Sequence, residues 1–123
     1  MYKYTLDELK ALAEKTAEEI KAPYSILLYG NIGAGKTTFS QFFIEKLLID
    51  HNQKITSPTF NIIQIYDTIK GSIWHADLYR IKNENEIFQL GIIEAMHESI
   101  CLIEWPDILQ NYISDCRIKK LVL

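Results

Sequence analysis

Residues Gly30 to Thr38 of this chain read GNIGAGKTT. Three glycines in six residues suit neither a helix nor a strand, so they make room for something that needs bare backbone. Gly30, Gly35, Lys36 and Thr37 fit the spacing G-x-x-x-x-G-K-[ST] at every defined position. In such a loop the main-chain N–H groups turn inward around phosphate oxygens, and the helix that follows adds the partial positive charge of its N-terminus. Lys36 is then expected to reach the β- and γ-phosphates, and Thr37 to place its hydroxyl on Mg²⁺. Asn31, Ile32, Gly33, Ala34 and Thr38 complete the expected cradle for a nucleotide. A glycine-rich turn that binds nothing would leave the Lys36-Thr37 pair unexplained.

A nucleotide site also needs a carboxylate for the metal, usually at the end of a hydrophobic strand. Asp77 in SIWHAD and Glu104 in ICLIE are the two candidates. Ile100, Cys101, Leu102 and Ile103 precede Glu104, which puts it where a buried parallel strand emerges at its carboxyl end. Ligands of open α/β sheets bind there. For both acids the plainer reading, a surface carboxylate closing a strand, stays open, as does an ordinary core role for Trp105. His51, His75 and His97 share no ligand spacing, so no metal role is expected of them. Cys101 and Cys116 stand alone, which suggests neither a metal site nor a disulfide framework and favours a reducing compartment.

The elements that must position these residues follow from periodicity. Thr5 to Glu8 has the form of a capping box, and apolar residues then recur at helical spacing, predicting a helix over 6–21 that Pro23 ends. Ser25 to Tyr29 is an apolar run leading into the glycines, as expected of a strand buried on both faces. Phe39, Phe42, Phe43 and Leu47 mark a second helix over 36–49. After the break at Ser57-Pro58, FNIIQIYD and SIWHADLY are expected to form a hairpin around the turn TIKG. Residues 83–97 have a helical pattern interrupted by Gly91, SICLIEW is another buried strand, and a short helix over 107–113 precedes a last strand in RIKKLVL. The alternation predicts an α/β fold with a mostly parallel mixed sheet and flanking helices.

Composition bounds the partners. The chain has 123 residues, 48% hydrophobic and 24% charged, the profile of a single domain over 1–123. Thirteen basic against sixteen acidic residues give a net charge of -3 with no basic stripe, which argues against autonomous nucleic-acid binding. The N-terminus carries charges where a signal peptide needs an apolar core, and no apolar run approaches a membrane span, so a cytoplasmic protein with no membrane partner is expected.

With the loop, TSPTF, HADLYR and LIEWP in that order, the chain resembles the TsaE family from the first helix to about Pro106. These are bacterial ATPases of the P-loop NTPase fold required for the threonylcarbamoyladenosine modification of adenosine 37 in tRNA. The resemblance implies ATP as substrate, Mg²⁺ as cofactor, and TsaD and TsaB as partners, with tRNA engaged only through their complex. It implies Lys36 and Thr37 at the nucleotide and Mg²⁺, Glu104 as a magnesium ligand and Asp77 near the phosphates. Thr59 falls where a switch-like threonine approaches the γ-phosphate, and Trp105 at the nucleotide site. Lys36, Asp77 and Glu104 are thus the expected catalytic residues. Family members continue past the strand matched by RIKKLVL, so a short protein or a missing C-terminal strand and tail is expected. A small-molecule kinase and a nucleotide-dependent binding module share the same loop and remain the alternative classes. Slow hydrolysis alone is expected, with Arg80 either an internal finger or a partner contact.

Overall fold

In a computed structural model, which describes residues 4–59 and 61–123, the chain builds one five-stranded sheet between two helical layers. Residues 1–3 of the charged N-terminus, and Phe60 of the TSPTF motif and the expected strand, lie outside the described residues. Helix α1 spans Leu6–Glu19 and opens on the capping box, with Glu8 N donating to Thr5 Oγ1 at 3.1 Å and Thr5 N to Glu8 Oε1 at 2.9 Å. Strand β1, Tyr24–Tyr29, is buried from Ser25 to Leu28. It leads through the glycine loop into α2, Lys36–Leu47.

Strands β2, Ile63–Thr68, and β3, Gly71–Asp77, form the expected antiparallel hairpin. The Lys70 ammonium at its tip reaches across to the end of α1, donating to the carbonyls of Ala17, Glu18 and Ile20 at 2.6, 2.9 and 2.7 Å. That helix has no basic residue in its own last turn, so the hairpin supplies the cation its carbonyl end favours.

The single helix expected over 83–97 is two: α3, Glu84–Leu90, and α4, Ile92–Met96. Gly91 stands between them at φ 77°, a left-handed conformation that ends one helix and starts the next. Strand β4, Ile100–Glu104, follows, then a 3-10 helical turn over Pro106–Tyr112 where a short helix was expected, and β5, Ile118–Val122.

The strand order is β2-β3-β4-β1-β5, parallel except for β2. Alternate residues of the central strands feed two cores. Ile26, Leu28, Ile73, Ile100 and Leu102 pack with Leu9, Ala13, Phe39 and Phe43 of α1 and α2. Leu27, Ala76, Cys101 and Ile103 pack with Ile87, Ile92, Met96 and Leu109 on the other side. Each fully buried side chain of this size stabilises the fold by about 1.5–3 kcal/mol relative to exposure. The two layers therefore clamp β1, β3 and β4 in register, with Leu28, Glu104 and Asp77 in one row at their carboxyl ends.

Candidate active site

The loop after β1 carries Gly30, Gly33 and Gly35 at φ 142°, 82° and 102°, values that L side chains rarely adopt. A Cβ on Gly30 would lie 2.9 Å from Ala34 Cβ and 3.0 Å from the Leu123 carbonyl oxygen, so the glycine is required by space as well as by backbone. Gly35 precedes α2, whose first N–H groups receive no side-chain cap. An uncapped helix start facing a glycine loop suits an anion.

Lys36 begins α2 and is only 5% exposed. Its Nζ donates to the carbonyls of Gly30 and Asn31, the latter at 3.0 Å, and lies 3.9 Å from the Trp105 ring centroid. Burial pulls its pKa below the usual lysine value, while Glu104 and Asp77 pull it back up. The ammonium is thus held in a poorly hydrated place by carbonyls and an indole face, all neutral partners. A phosphate would offer a stronger, charged one.

Thr37 Oγ1 lies 2.9 Å from both Glu104 oxygens, donating its one proton to the carboxylate. Glu104 is 3% exposed, and its Oε2 also accepts from His75 Nε2 at 2.7 Å. His75 is fully buried, and its Nδ1 is without a partner among the described residues, so the ring's hydrogen-bonding proton is committed to Glu104. A hydroxyl and a carboxylate converging at a strand end are hard oxygen donors, the set that fits Mg²⁺. Asp77 stands beside Glu104 in the β3–β4 register and accepts from Tyr79 N at 3.0 Å. Burial raises the Asp77 pKa above the usual aspartate value, and Glu104 adds to the rise; the Tyr79 hydrogen bond, His75 and Lys36 oppose it.

These groups line one cleft of about 410 Å³. Of the expected site residues it brings together Ile32, Gly33, Gly35, Lys36, Thr37, Thr38, Thr59, Asp77, Glu104 and Trp105. Asn31 and Ala34 do not line it: Asn31 contributes its carbonyl to Lys36, and Ala34 faces a smaller hollow against Leu9 of α1. Trp105 adopts a left-handed backbone at φ 55°, a conformation that costs about 1–3 kcal/mol. Its ring packs on Tyr79 with centroids 4.9 Å apart. Arg80 is not among the cleft residues; its guanidinium donates to the Thr59 carbonyl and so braces the loop that brings Thr59 to the site. Arg117 lies over the Tyr24 ring at the other end of β1.

Sequence reasoning missed two members of this site, His75 and Tyr79. The period of two along β3 carries the signal for His75, because Ile73, His75 and Asp77 must share a face.

Comparisons with known proteins come out consistently. The sequence model of the family described as "Threonylcarbamoyl adenosine biosynthesis protein TsaE" matches residues 4–122, so the likeness runs through β5 and past the expected limit at Pro106. The chain is 43% identical over 107 residues to the tRNA threonylcarbamoyladenosine biosynthesis protein TsaE of Rickettsia prowazekii, covering 87% of this chain and 74% of that one. It is 36% identical over 117 residues to the protein of the same name from Bacillus subtilis, covering 94% and 72%. Among solved structures it is similar to Bacillus subtilis YdiB, at 33% identity and a TM-score of 0.70, over 97% of this chain and 71% of that one. No described helix is long and apolar enough to cross a membrane.

Proposed function

The chain belongs to the TsaE family, and from that premise we propose that it binds and hydrolyses ATP to support threonylcarbamoylation of adenosine 37 of tRNA. It does so by docking on the TsaD–TsaB complex and letting that complex turn over. The observation that carries the ATPase reading is the hydrogen-bonded chain from buried His75 through buried Glu104 to Thr37, closing on the first turn of the helix that follows the glycine loop. A structural carboxylate has no need of burial at 3% exposure beside an uncapped helix start.

The residues divide the work. The loop N–H groups and Lys36 bind the phosphate chain, Lys36 exchanging the carbonyls of Gly30 and Asn31 for phosphate oxygens. Thr37 and Glu104 hold Mg²⁺, which when bound neutralises charge on the phosphates. His75 fixes the Glu104 carboxylate, and Asp77, half-buried beside it, orients the attacking water. Lys36 is the only cationic side chain lining the cleft among the described residues. An added arginine finger is worth about 10³–10⁵ in rate, so its absence from the cleft favours slow hydrolysis alone and stimulation on docking.

The test is steady-state phosphate release at saturating ATP, alone and with the TsaD–TsaB complex. Marked stimulation supports the reading; fast turnover alone, or none gained from a partner shown to bind, refutes partner activation. Lys36→Ala is expected to weaken ATP binding by about tenfold or more, since a hydrogen bond to a charged group contributes about 1.5–3 kcal/mol. Unchanged affinity in calorimetry would sink the phosphate-loop assignment itself.

A further inference from the structure

His97, Asp115 and Cys116 meet at the end of the sheet opposite the glycine loop, their ligand atoms all within 4.8 Å of one another. His97 closes α4 just before β4, and Asp115-Cys116 form the turn just before β5. His97 Nε2 lies 3.3 Å from Asp115 Oδ2 and 3.8 Å from Cys116 Sγ, and that sulfur lies 3.9 Å from Asp115 Oδ1. The other ring nitrogen, Nδ1, lies 2.9 Å from the Ile93 carbonyl, which can only accept, so Nδ1 carries a proton.

A nucleophilic relay would place cysteine on one ring nitrogen and aspartate on the other. Here both face the same nitrogen, and the third group on the ring is a main-chain carbonyl. Three donors turned toward one point is an arrangement for a shared cation. Zinc takes nitrogen and oxygen ligands at about 2.0–2.2 Å and sulfur at about 2.3 Å. Tetrahedral angles at those lengths separate nitrogen from oxygen by about 3.4 Å and sulfur from either by about 3.6 Å. The 3.3 Å from His97 Nε2 to Asp115 Oδ2 and the 3.8 Å from that nitrogen to Cys116 Sγ lie within about 0.2 Å of those values, and a turn of the exposed carboxylate brings one oxygen to both partners.

We propose that His97, Asp115 and Cys116 bind one divalent transition-metal ion of the zinc class, with water completing the coordination. The sulfur and nitrogen donors select such an ion over Mg²⁺ or Ca²⁺. The Ile93 carbonyl holds the imidazole in the orientation a ligand needs. The His97 and Asp115 side chains are 44% and 74% exposed, so the ion enters from solvent and the side chains can turn to meet it. On binding, a metal–sulfur bond replaces the Cys116 S–H bond and the proton leaves to water. The ion then joins the entry of β4 to the entry of β5, the two neighbours of β1 in the sheet. This site is independent of the nucleotide reading.

Co²⁺ titration of the full chain tests it, because a thiolate ligand gives a near-ultraviolet charge-transfer band and tetrahedral coordination gives intense visible bands. One equivalent of Co²⁺ is expected to produce both, and Zn²⁺ to abolish them by displacement. Cys116→Ser is expected to lose the thiolate band, whereas Cys101→Ala keeps it, since the Cys101 thiol is fully buried and is not one of the three converging groups. His97→Ala and Asp115→Ala are each expected to weaken binding at least about tenfold. A missing thiolate band, a band that survives in Cys116→Ser, unchanged affinity in His97→Ala, or saturation only at millimolar metal would each overturn the proposal.

Discussion

Both ends of the sheet set a histidine beside a carboxylate, and they put the same pair of groups to different uses. At the carboxyl ends of the strands, His75 and Glu104 stand 2.7 Å apart with side chains 0% and 4% exposed. At the amino ends, His97 and Asp115 stand 3.3 Å apart, largely in water. Burial strengthens an electrostatic contact and equally raises the cost of losing one partner, whereas an exposed pair is screened and loosely held. The buried pair therefore fixes a carboxylate in one pose. The exposed pair leaves its donors free to take another partner.

The largest expected effect lies on the buried side. Glu104→Gln keeps size and polarity but removes the charge, and phosphate release is expected to fall about 100-fold or more, about 2.7 kcal/mol on the barrier. Its Mg²⁺ dependence is expected to weaken with it. Normal turnover with normal Mg²⁺ dependence would erase the functional half of the contrast.

Stability should separate the two histidines. His75→Ala leaves the Glu104 carboxylate buried without that partner and is expected to lower unfolding stability by about 3–5 kcal/mol in urea titration. His97→Ala, measured with chelator present, is expected to leave the midpoint nearly unchanged. Equal losses would show that burial does not set the difference.

Two glycines sharpen it further. Gly71→Ala at the amino end of β3 meets nothing within 4 Å, so only its backbone at φ 90° is strained. Gly30→Ala adds a collision with Ala34 and Leu123 to similar strain. Thermal denaturation is expected to find Gly30→Ala worse by about 1–3 kcal/mol, the usual cost of overpacking. A smaller loss than in Gly71→Ala would mean that the loop yields.

The smallest effect is one of pH. Burial raises the Asp77 pKa above its usual 3.8, so its ionisation opposes folding. Its contribution to stability is full below the unfolded value and is lost as pH rises through the higher folded one. Asp77→Asn does not titrate, so the variant is expected to gain on the wild type as pH climbs through that window. Parallel stability–pH curves would contradict this.

What could be read without coordinates was local in the chain. The glycine loop declares itself because its lysine and threonine follow at fixed spacing, and Glu104 because four apolar residues lead straight to it. His75 did not, because its partner lies 29 residues away and only the strand register brings them together. Chain spacing hides the surroundings of His97 for a similar reason, since Asp115 and Cys116 come from a turn 18 and 19 residues on. Gly91 was visible as an interruption, but whether it bends or divides a helix depends on the sign of φ. The left-handed Trp105 has no local signal, since nothing in an aromatic residue asks for it.

The hairpin's Lys70 has a kinetic meaning as well as a structural one. An ammonium tied to three carbonyls is held away from an acylating reagent until it lets go. Its rate of labelling, followed by mass spectrometry, therefore clocks how often the tip of the hairpin parts from the end of α1. Lys36, tied to two carbonyls of the glycine loop, clocks the other end in the same reaction vessel. ATP is expected to slow the labelling of Lys36 and leave that of Lys70 unchanged.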